Sequence, residues 1–332
     1  MKSFRTILPT QRAPFALTHA DPLLLVGSCF TEHIGARLAE AKFGVLANPT
    51  GILYNPVSIA RALAAWGECS IRPEERVENS LHQLDGLWHS WDHPGAFSHP
   101  DRETALQQIE TAQRQAAGFL QNASCLLLTL GTAEVFELRD NGRLVANNHK
   151  APAGWFSQRR LSVAETERSL ASVLDCLHAR FPGLRVILTV SPVRHLRNGF
   201  VENQRSKATL VLACAELCAQ FPFVWYFPAY ELLLDDLRDY RFYAADMAHP
   251  SETAVDYIWT YFAETFFPAA TNALLKQIEK IGAAARHRPF HPGTPGHSDF
   301  ARRQLDAIQA LLRTHPQLDF SEEISQFQQY YS

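Results

Sequence analysis

The 332-residue chain has no uninterrupted apolar run of the roughly 18 residues that a membrane-crossing helix needs. Its first stretch, Met1 to Pro22, lacks the basic start, continuous apolar core and small-residue cleavage site of a secretory signal. These absences give the expectation of a cytoplasmic protein with no membrane partner. Charge of one sign is also scarce. The formal net charge of -3 provides no broad attraction to phosphate backbones, so nucleic acid is not the expected partner. The six cysteines (Cys29, Cys69, Cys125, Cys176, Cys214, Cys218) form no C-x-x-C pair and lie mostly in apolar stretches, which reads as buried, reduced thiols. Neither Gly-x-Gly-x-x-Gly nor Gly-x-x-x-x-Gly-Lys-Ser/Thr occurs, so dinucleotide and P-loop cofactors have no anchor and no cofactor is expected. The Gly-x-Ser-x-Gly elbow of α/β-hydrolases is missing too, and there is no internal repeat or low-complexity tract.

What is present is an ordinary globular composition, 46% hydrophobic and 20% charged, in a chain long enough to bury a substantial core. Short apolar runs of strand length alternate with longer periodic stretches. Leu23-Leu24-Leu25-Val26 ends at Gly27-Ser28 and leads into Thr31 to Lys42, where Ile34, Leu38 and Ala41 share a helical face. The alternation returns at Ser124 to Leu130, at Leu184 to Val190 and at Phe223 to Phe227. Helices are expected at Ser162 to Arg180, opening on a Ser162-x-x-Glu165 capping box, at Asn203 to Gln220 and at Glu252 to Phe267. This pattern predicts an α/β fold, a three-layer α/β/α sandwich whose mainly parallel sheet carries its site at the carboxyl ends of the strands.

Two regions break the rhythm. Glu68 to Arg102, rich in Trp and His, reads as an excursion over the sheet. Arg286 to His297, with three prolines and two glycines, reads as a linker or ordered loop. Beyond it, Ser298 to Thr314 is amphipathic, with Phe300, Leu305, Ile308 and Leu312 on one stripe. The expected division is a main domain over 1–285, with an insertion at about 68–102, and a linker with a C-terminal helical extension over 286–332. That extension either packs on the core or makes a homo-oligomer.

Ser28 stands where a strand feeds a helix, a place where a hydroxyl projects beside backbone N–H groups able to hold an oxyanion; the same position suits a plain helix cap. Asp246-x-x-His249 supplies what a serine nucleophile needs, an imidazole to take its proton and a carboxylate to orient that imidazole. The alternative is a helix-start turn in which Ser251 caps and Asp246 pairs with an arginine. Cys29 is a second nucleophile by chemistry, but its neighbourhood to Ser28 on a helix turn predicts a packed thiol facing away from the site. His82, His89, His93 and His99 carry no His-Glu-x-x-His or cysteine ligand set, so no metal is expected. With Trp88 and Trp91 they suit a lid with aromatic faces for a sugar ring.

Taken together, Gly27-Ser28 near one end and Asp246-x-x-His249 near the other resemble the layout of SGNH (GDSL-type) hydrolases. More closely, the chain resembles the GSCFA-domain family through Gly27-Ser28-Cys29-Phe30-Thr31, the Asn48 to Pro56 run, Leu130-Gly131-Thr132-Ala133, Asn147-Asn148-His149-Lys150, Ser191 to His195, and Tyr240 to Tyr243 leading into Asp246 and His249. The resemblance runs from about Phe4 to Phe267 and implies an SGNH/flavodoxin-like sandwich. It implies a triad of Ser28, His249 and Asp246, with Ser28 and Gly51 N–H groups as oxyanion donors. SGNH enzymes place an asparagine after a central strand, where this chain has Gly131-Thr132-Ala133. Thr132, Asn48 and Asn55 are the candidate substitutes, while His149 and Arg194 are candidate substrate contacts. The implied activity is hydrolysis or transfer of an acyl group on an O-acylated substrate such as an acetylated carbohydrate. The alternative is a non-catalytic protein binding a glycan or small ligand.

Overall fold

The computed structural model describes residues 5–69, 76–287 and 294–329. In chain order the elements are β1 (Leu23–Gly27), α1 (Cys29–Glu40), β2 (Val45–Ala47), α2 (Pro56–Trp66), β3 (Leu81–Leu84), β4 (Leu87–Ser90), α3 (Arg102–Leu120) and β5 (Cys125–Leu130). There follow β6 (Glu134–Leu138), β7 (Leu144–Val145), β8 (Phe156–Arg160), α4 (Val163–Arg180), β9 (Arg185–Val190), α5 (Gly199–Gln220) and β10 (Val224–Tyr226). The rest is helical: α6 (Ala229–Glu231), α7 (Glu252–Phe266), α8 (Ala269–Arg286), α9 (Pro295–Thr314) and α10 (Ser321–Gln328). Two compact units form, one of Met1–Pro9, Leu23–Gly35 and Leu46–Thr260, the other of Thr10–Pro22, Ala36–Val45 and Tyr261–Ser332.

In the first unit the main sheet has the order β10-β9-β5-β1-β2. Counting only its own strands along the chain, this is the 2-1-3-4-5 order of flavodoxin-like sheets. Pairing is parallel from β1 through β10, with Leu23 opposite Cys125, Leu128 opposite Leu188, and Val186 opposite Val224. Every residue of β1 and β5 is buried, as strands covered on both faces must be. One face packs Leu24, Val26, Leu126, Leu128, Val186 and Leu188 against Ile59 and Leu63 of α2, Leu174 of α4 and Leu210 of α5. Each such side chain contributes about 1.5–3 kcal/mol against the conformational entropy of ordering it. The chain leaves β1 in one direction for β2 and in the other for β5. Right-handed crossovers therefore put α1 on the face opposite α4 and α5. That reversal opens a crevice beyond the ends of β1 and β5.

Gly27 makes this closeness feasible. Its φ is +148°, and a Cβ there would lie 2.2 Å from the Thr129 carbonyl oxygen. α4 begins as its sequence indicates, with the Ser162 and Glu165 side chains each bonding the other's backbone N–H. α5 starts at Gly199, four residues earlier than the apolar pattern suggests.

The insertion is a small packed structure rather than an open loop. β3 and β4 form a hairpin whose turn residues, Asp85 and Gly86, both have positive φ, as a tight two-residue turn requires. A second small sheet, β7-β6-β8, lies between Glu134 and Arg160. Trp91 is buried with Leu138, Val145, Ala151 and Phe156. The cysteines also depart from expectation: Cys69 and Cys176 are joined by a disulfide, linking the segment after α2 to α4, while Cys29, Cys125, Cys214 and Cys218 keep their thiols outside any disulfide.

In the second unit, α8 fills a stretch with no helix expected. Its Leu274, Ile278 and Ile281 form a core with Ala301, Ile308 and Leu311 of α9 and with Phe320 and Phe327. Of the predicted α9 stripe, Ile308 is buried, and Phe300, Leu305 and Leu312 pack partly against it. The expected linker is shorter than its composition suggests: α8 continues to Arg286 and α9 opens on Pro295, while 288–293 lies outside the described residues. No helix among the described residues is long and apolar enough to cross a membrane.

Candidate active site

The Asp246 to His249 segment is a tight turn held from several sides. Asp246 Oδ1 accepts the backbone N–H groups of Ala248 and His249 at 3.0 Å each, and Oδ2 lies 2.5 Å from His249 Nδ1. Met247 makes the turn at a φ of +57°. These bonds, with the His249 N–H first, then that of Ala248 and then the imidazole, hold the Asp246 carboxyl below the usual carboxylate range. Asp246 therefore pairs with the imidazole and not with an arginine. Ser251 does accept the Ala254 N–H, at 3.3 Å, so a cap exists beside the acid–base pair.

With Nδ1 on Asp246, Nε2 of His249 faces the end of β1. The atom it meets is Cys29 Sγ, at 3.6 Å. The expectation that Cys29 points away is thus corrected: α1 begins at Cys29 itself, and its first side chain is the one directed into the crevice. Ser28 occupies the bend before the helix, fully buried, and its Oγ has no hydrogen-bond partner among the described residues. Its backbone is fixed by the Ser28 N–H to Thr129 carbonyl bond at 3.1 Å. Burial pushes the Cys29 thiol up, and Glu32 adds to that; Lys207 and the N–H groups of Phe30 and Cys29 pull it down.

The remaining predicted residues divide by what they already bond. The Gly51 N–H donates to the Asn48 carbonyl at 2.8 Å, and Pro94 of the insertion sits where a Cβ of Gly51 would be, so that N–H is engaged within its own turn. Gly131 and Thr132 both donate their backbone N–H to the Tyr54 carbonyl, at 2.8 and 3.0 Å. The Thr132 hydroxyl meets Ser206 Oγ at 3.0 Å, and the Ala133 N–H donates to the same Ser206 oxygen at 2.7 Å. Asn55 is the N-cap of α2. Asn48 differs: Oδ1 accepts the Gly27 N–H at 2.9 Å, while its buried Nδ2 has no partner among the described residues.

Among the described residues His149 makes no contact with Cys29 or His249. Its Nε2 bonds the Ser90 carbonyl at 2.7 Å and its ring lies against His89 and His82. The Asn147 and Asn148 side chains accept the N–H groups of His149 and Lys150, which makes that run a clasp for the hairpin. The aromatic lid is likewise packed: His82 stacks flat on Trp91, leaving that indole no open face for a sugar. Burial pushes His82 and His93 down to about 4. Arg194 steadies the acid–base turn. Its N–H donates to the Ala248 carbonyl, Nη1 contacts the Met247 carbonyl at 3.5 Å, and its guanidinium lies 4.2 Å from the Tyr243 ring centroid.

The structure adds residues with no counterpart in the expected set. Ser206 and Lys207 reach from α5 to the loops after β5 and β9. Lys207 Nζ donates to the carbonyls of Gly131 and Ser191, at 2.7 Å each. Tyr54 lies edge-on to His195, which burial pushes down to about 3. A separate cleft of about 830 Å³ is lined by Arg61, Glu137, Arg143, Arg159, Glu165 and Arg168. Its arginines are largely paired already, Arg159 with Glu137 and Glu165, Arg143 with Asp92.

Comparison with known proteins settles the family. The model of the GSCFA family matches residues 22–262, more than half of the chain. The chain belongs to the GSCFA family. Residues 278–332 match the C-terminal domain of GSCFA domain proteins, which spans the end of α8, α9 and α10. No curated protein matches this GSCFA chain. Among solved structures it is similar to a carbohydrate esterase of family 3 from Talaromyces cellulolyticus, at 14% identity and a TM-score of 0.32, over 78% of this chain and 99% of that one. That likeness is too loose to carry an argument.

Proposed function

We propose that this GSCFA protein catalyses acyl transfer from an O-acyl ester through a thiol nucleophile, with Cys29, His249 and Asp246 as its triad. The observation that carries the reading is the single line of contacts from Asp246 Oδ2 through the His249 ring to Cys29 Sγ, at 2.5 and 3.6 Å. Asp246 fixes the tautomer with the proton on Nδ1, leaving Nε2 as the base. Nε2 takes the thiol proton, and the sulfur attacks the ester carbonyl carbon. The oxyanion so formed can accept from the N–H groups of Cys29 and Phe30 at the start of α1, which already lie against the sulfur. Collapse breaks the C–O bond, and His249 returns its proton to the leaving alcohol, giving a thioester on Cys29. Water, deprotonated by His249, then hydrolyses the thioester; an alcohol in place of water makes the protein an O-acyltransferase.

Ring faces at the site suit a carbohydrate acceptor or ester. Tyr54 and Tyr240 are exposed, and Tyr240 and Tyr243 flank Arg194 beside the acid–base turn. The test compares Cys29→Ala, Ser28→Ala and the parent protein on short-chain p-nitrophenyl esters and on acetylated sugars. Cys29→Ala should lose about four to six orders of magnitude in kcat, the scale of a triad nucleophile, while Ser28→Ala retains turnover. Loss confined to Ser28→Ala would return the nucleophile's role to that serine. A parent protein inert to every ester and to thiol-directed acyl probes would favour a glycan-binding role without turnover.

A further inference from the structure

Arg159, Arg160, Arg180 and Arg241 each meet a carboxylate. Arg194 does not. Among the described residues no carboxylate pairs with it, although it sits beside the acid–base turn. Its backbone N–H donates to the Ala248 carbonyl at 3.1 Å, one residue before His249. Nη1 makes a long contact of 3.5 Å with the Met247 carbonyl, and the guanidinium carbon lies 4.2 and 5.2 Å from the Tyr243 and Tyr240 ring centroids. The Tyr243 hydroxyl also faces it. The Tyr240 to Tyr243 segment is fixed against the turn by the Ser251 N–H to Phe242 carbonyl and Ala244 N–H to His249 carbonyl bonds, at 2.8 Å each. A guanidinium has more N–H donors than these contacts use. Tyr243 is buried, but Tyr240 and Met247 are 57% and 47% exposed, so the cation stands at the mouth of the crevice and not in the core.

We propose that Arg194 is a specificity-determining residue that binds a carboxylate on the carbohydrate of the ester, so that the substrate is an O-acylated acidic sugar rather than a neutral one. The inference rests on acyl transfer at the Cys29, His249 and Asp246 site. The planar fork of a guanidinium matches a carboxylate bidentately, and rings on either side restrict the rotamer freedom it would otherwise lose on binding. The exposed Tyr240 ring offers the sugar an apolar face next to that cation. Because the Arg194 main chain is bonded to that of Ala248, an anion held there lies beside the base that acts on the ester. The surrounding charge suits it. Between Ser191 and Asn198 and between Arg238 and Ser251 the arginines are Arg194, Arg197, Arg238 and Arg241, with His195 and His249. The carboxylates there are Asp239, which pairs with Arg241, and Asp246, whose oxygens are turned onto the His249 ring and the turn's own N–H groups. Both carboxylates are thus engaged away from Arg194.

The experiment measures kcat/KM at low salt on acetylated galacturonate oligomers and on acetylated xylose oligomers, for the full-length parent, Arg194→Gln and Arg194→Lys. The parent should favour the acidic substrate about 10- to 100-fold, the worth of one charge-assisted pair. Arg194→Gln should lose most of that ratio through KM, while Arg194→Lys, which keeps the charge without the fork, should retain part of it. An equal fall on both substrates would make Arg194 a brace of the turn alone and overturn the proposal. A parent with no preference overturns it as well, and that result needs no variant to fold. An acetylated sugar phosphate favoured over the galacturonate oligomers would overturn the assignment to a carboxylate. The underlying reading fails separately: a parent inert to every ester that still binds unacylated galacturonate oligomers in calorimetry, with binding lost in Arg194→Gln, keeps the anion site and removes the chemistry.

Discussion

Replacing Asp246 by Asn exchanges a single heavy atom and reverses the direction of the proposed proton path. The carboxylate makes three contacts: Oδ1 accepts from the N–H groups of Ala248 and His249, and Oδ2 meets Nδ1. A carboxamide oxygen preserves the two backbone bonds, so the turn keeps its shape, along with the Ala244 N–H to His249 carbonyl and Arg194 N–H to Ala248 carbonyl bonds that brace it. Its amide nitrogen then faces Nδ1 and can only donate. The imidazole must accept there, which moves its proton to Nε2, the nitrogen 3.6 Å from Cys29 Sγ. A protonated Nε2 takes no proton from a thiol. The cost of the wrong tautomer in a triad is about 10⁴-fold in kcat, or roughly 5.5 kcal/mol of transition-state stabilisation. The assay is the initial rate of p-nitrophenyl acetate hydrolysis at pH 7–8, with thermal melting to establish that Asp246→Asn folds. A folded Asp246→Asn protein within threefold of the parent rate would refute the tautomer argument and the general-base role of His249.

Two further predictions concern the scaffold. His82 and His93 have folded pKa values pushed down to about 4 by burial, against 6.5 for the free side chain. Between those values the unfolded chain binds more protons than the native one, so stability present above pH 6.5 is lost progressively as pH falls towards 4. Thermal melting across pH 4–8 should show a falling Tm on the acid side, with a shallower slope in His93→Asn; a slope unchanged by that substitution would contradict the assignment. The Cys69–Cys176 disulfide spans 107 residues, so in the chain-entropy account Cys176→Ser lowers stability by about 4–5 kcal/mol. Denaturant unfolding with and without reductant measures this, and curves that superimpose would argue against the bond.

Much of the fold was readable because its signals are local. The buried runs that start at Leu23, Cys125 and Val186 are almost wholly apolar strands, and the Ser162 to Glu165 box sets the start of α4. The Asp246 to His249 turn was legible for the same reason, since the three bonds of the Asp246 carboxylate lie within four residues. The crevice between Ser28 and Cys29 was not. Where a strand becomes a helix the side-chain direction changes within one residue, and residue type does not reveal which neighbour turns inward. Gly51, Gly131 and Thr132 looked like free donors because their acceptors, Asn48 and Tyr54, are backbone carbonyls with no sequence signature. Ser206 and Lys207 come from a helix more than seventy residues beyond the loop they hold. The one visible sign was a lysine in step with Leu210, Cys214 and Leu217, on the face that a helix buries. The hairpin of the insertion was signalled by Asp85-Gly86, a turn pair whose meaning depends on the strands around it.

The central claim is that the acyl group passes through a thiol. Incubating the protein with a p-nitrophenyl ester, quenching in acid and mapping the acylated peptide by mass spectrometry tests it most directly. The account predicts a hydroxylamine-labile acyl group on Cys29, absent in Cys29→Ala and present in Ser28→Ala. An acyl group carried by Ser28, or by neither residue during turnover, would contradict it.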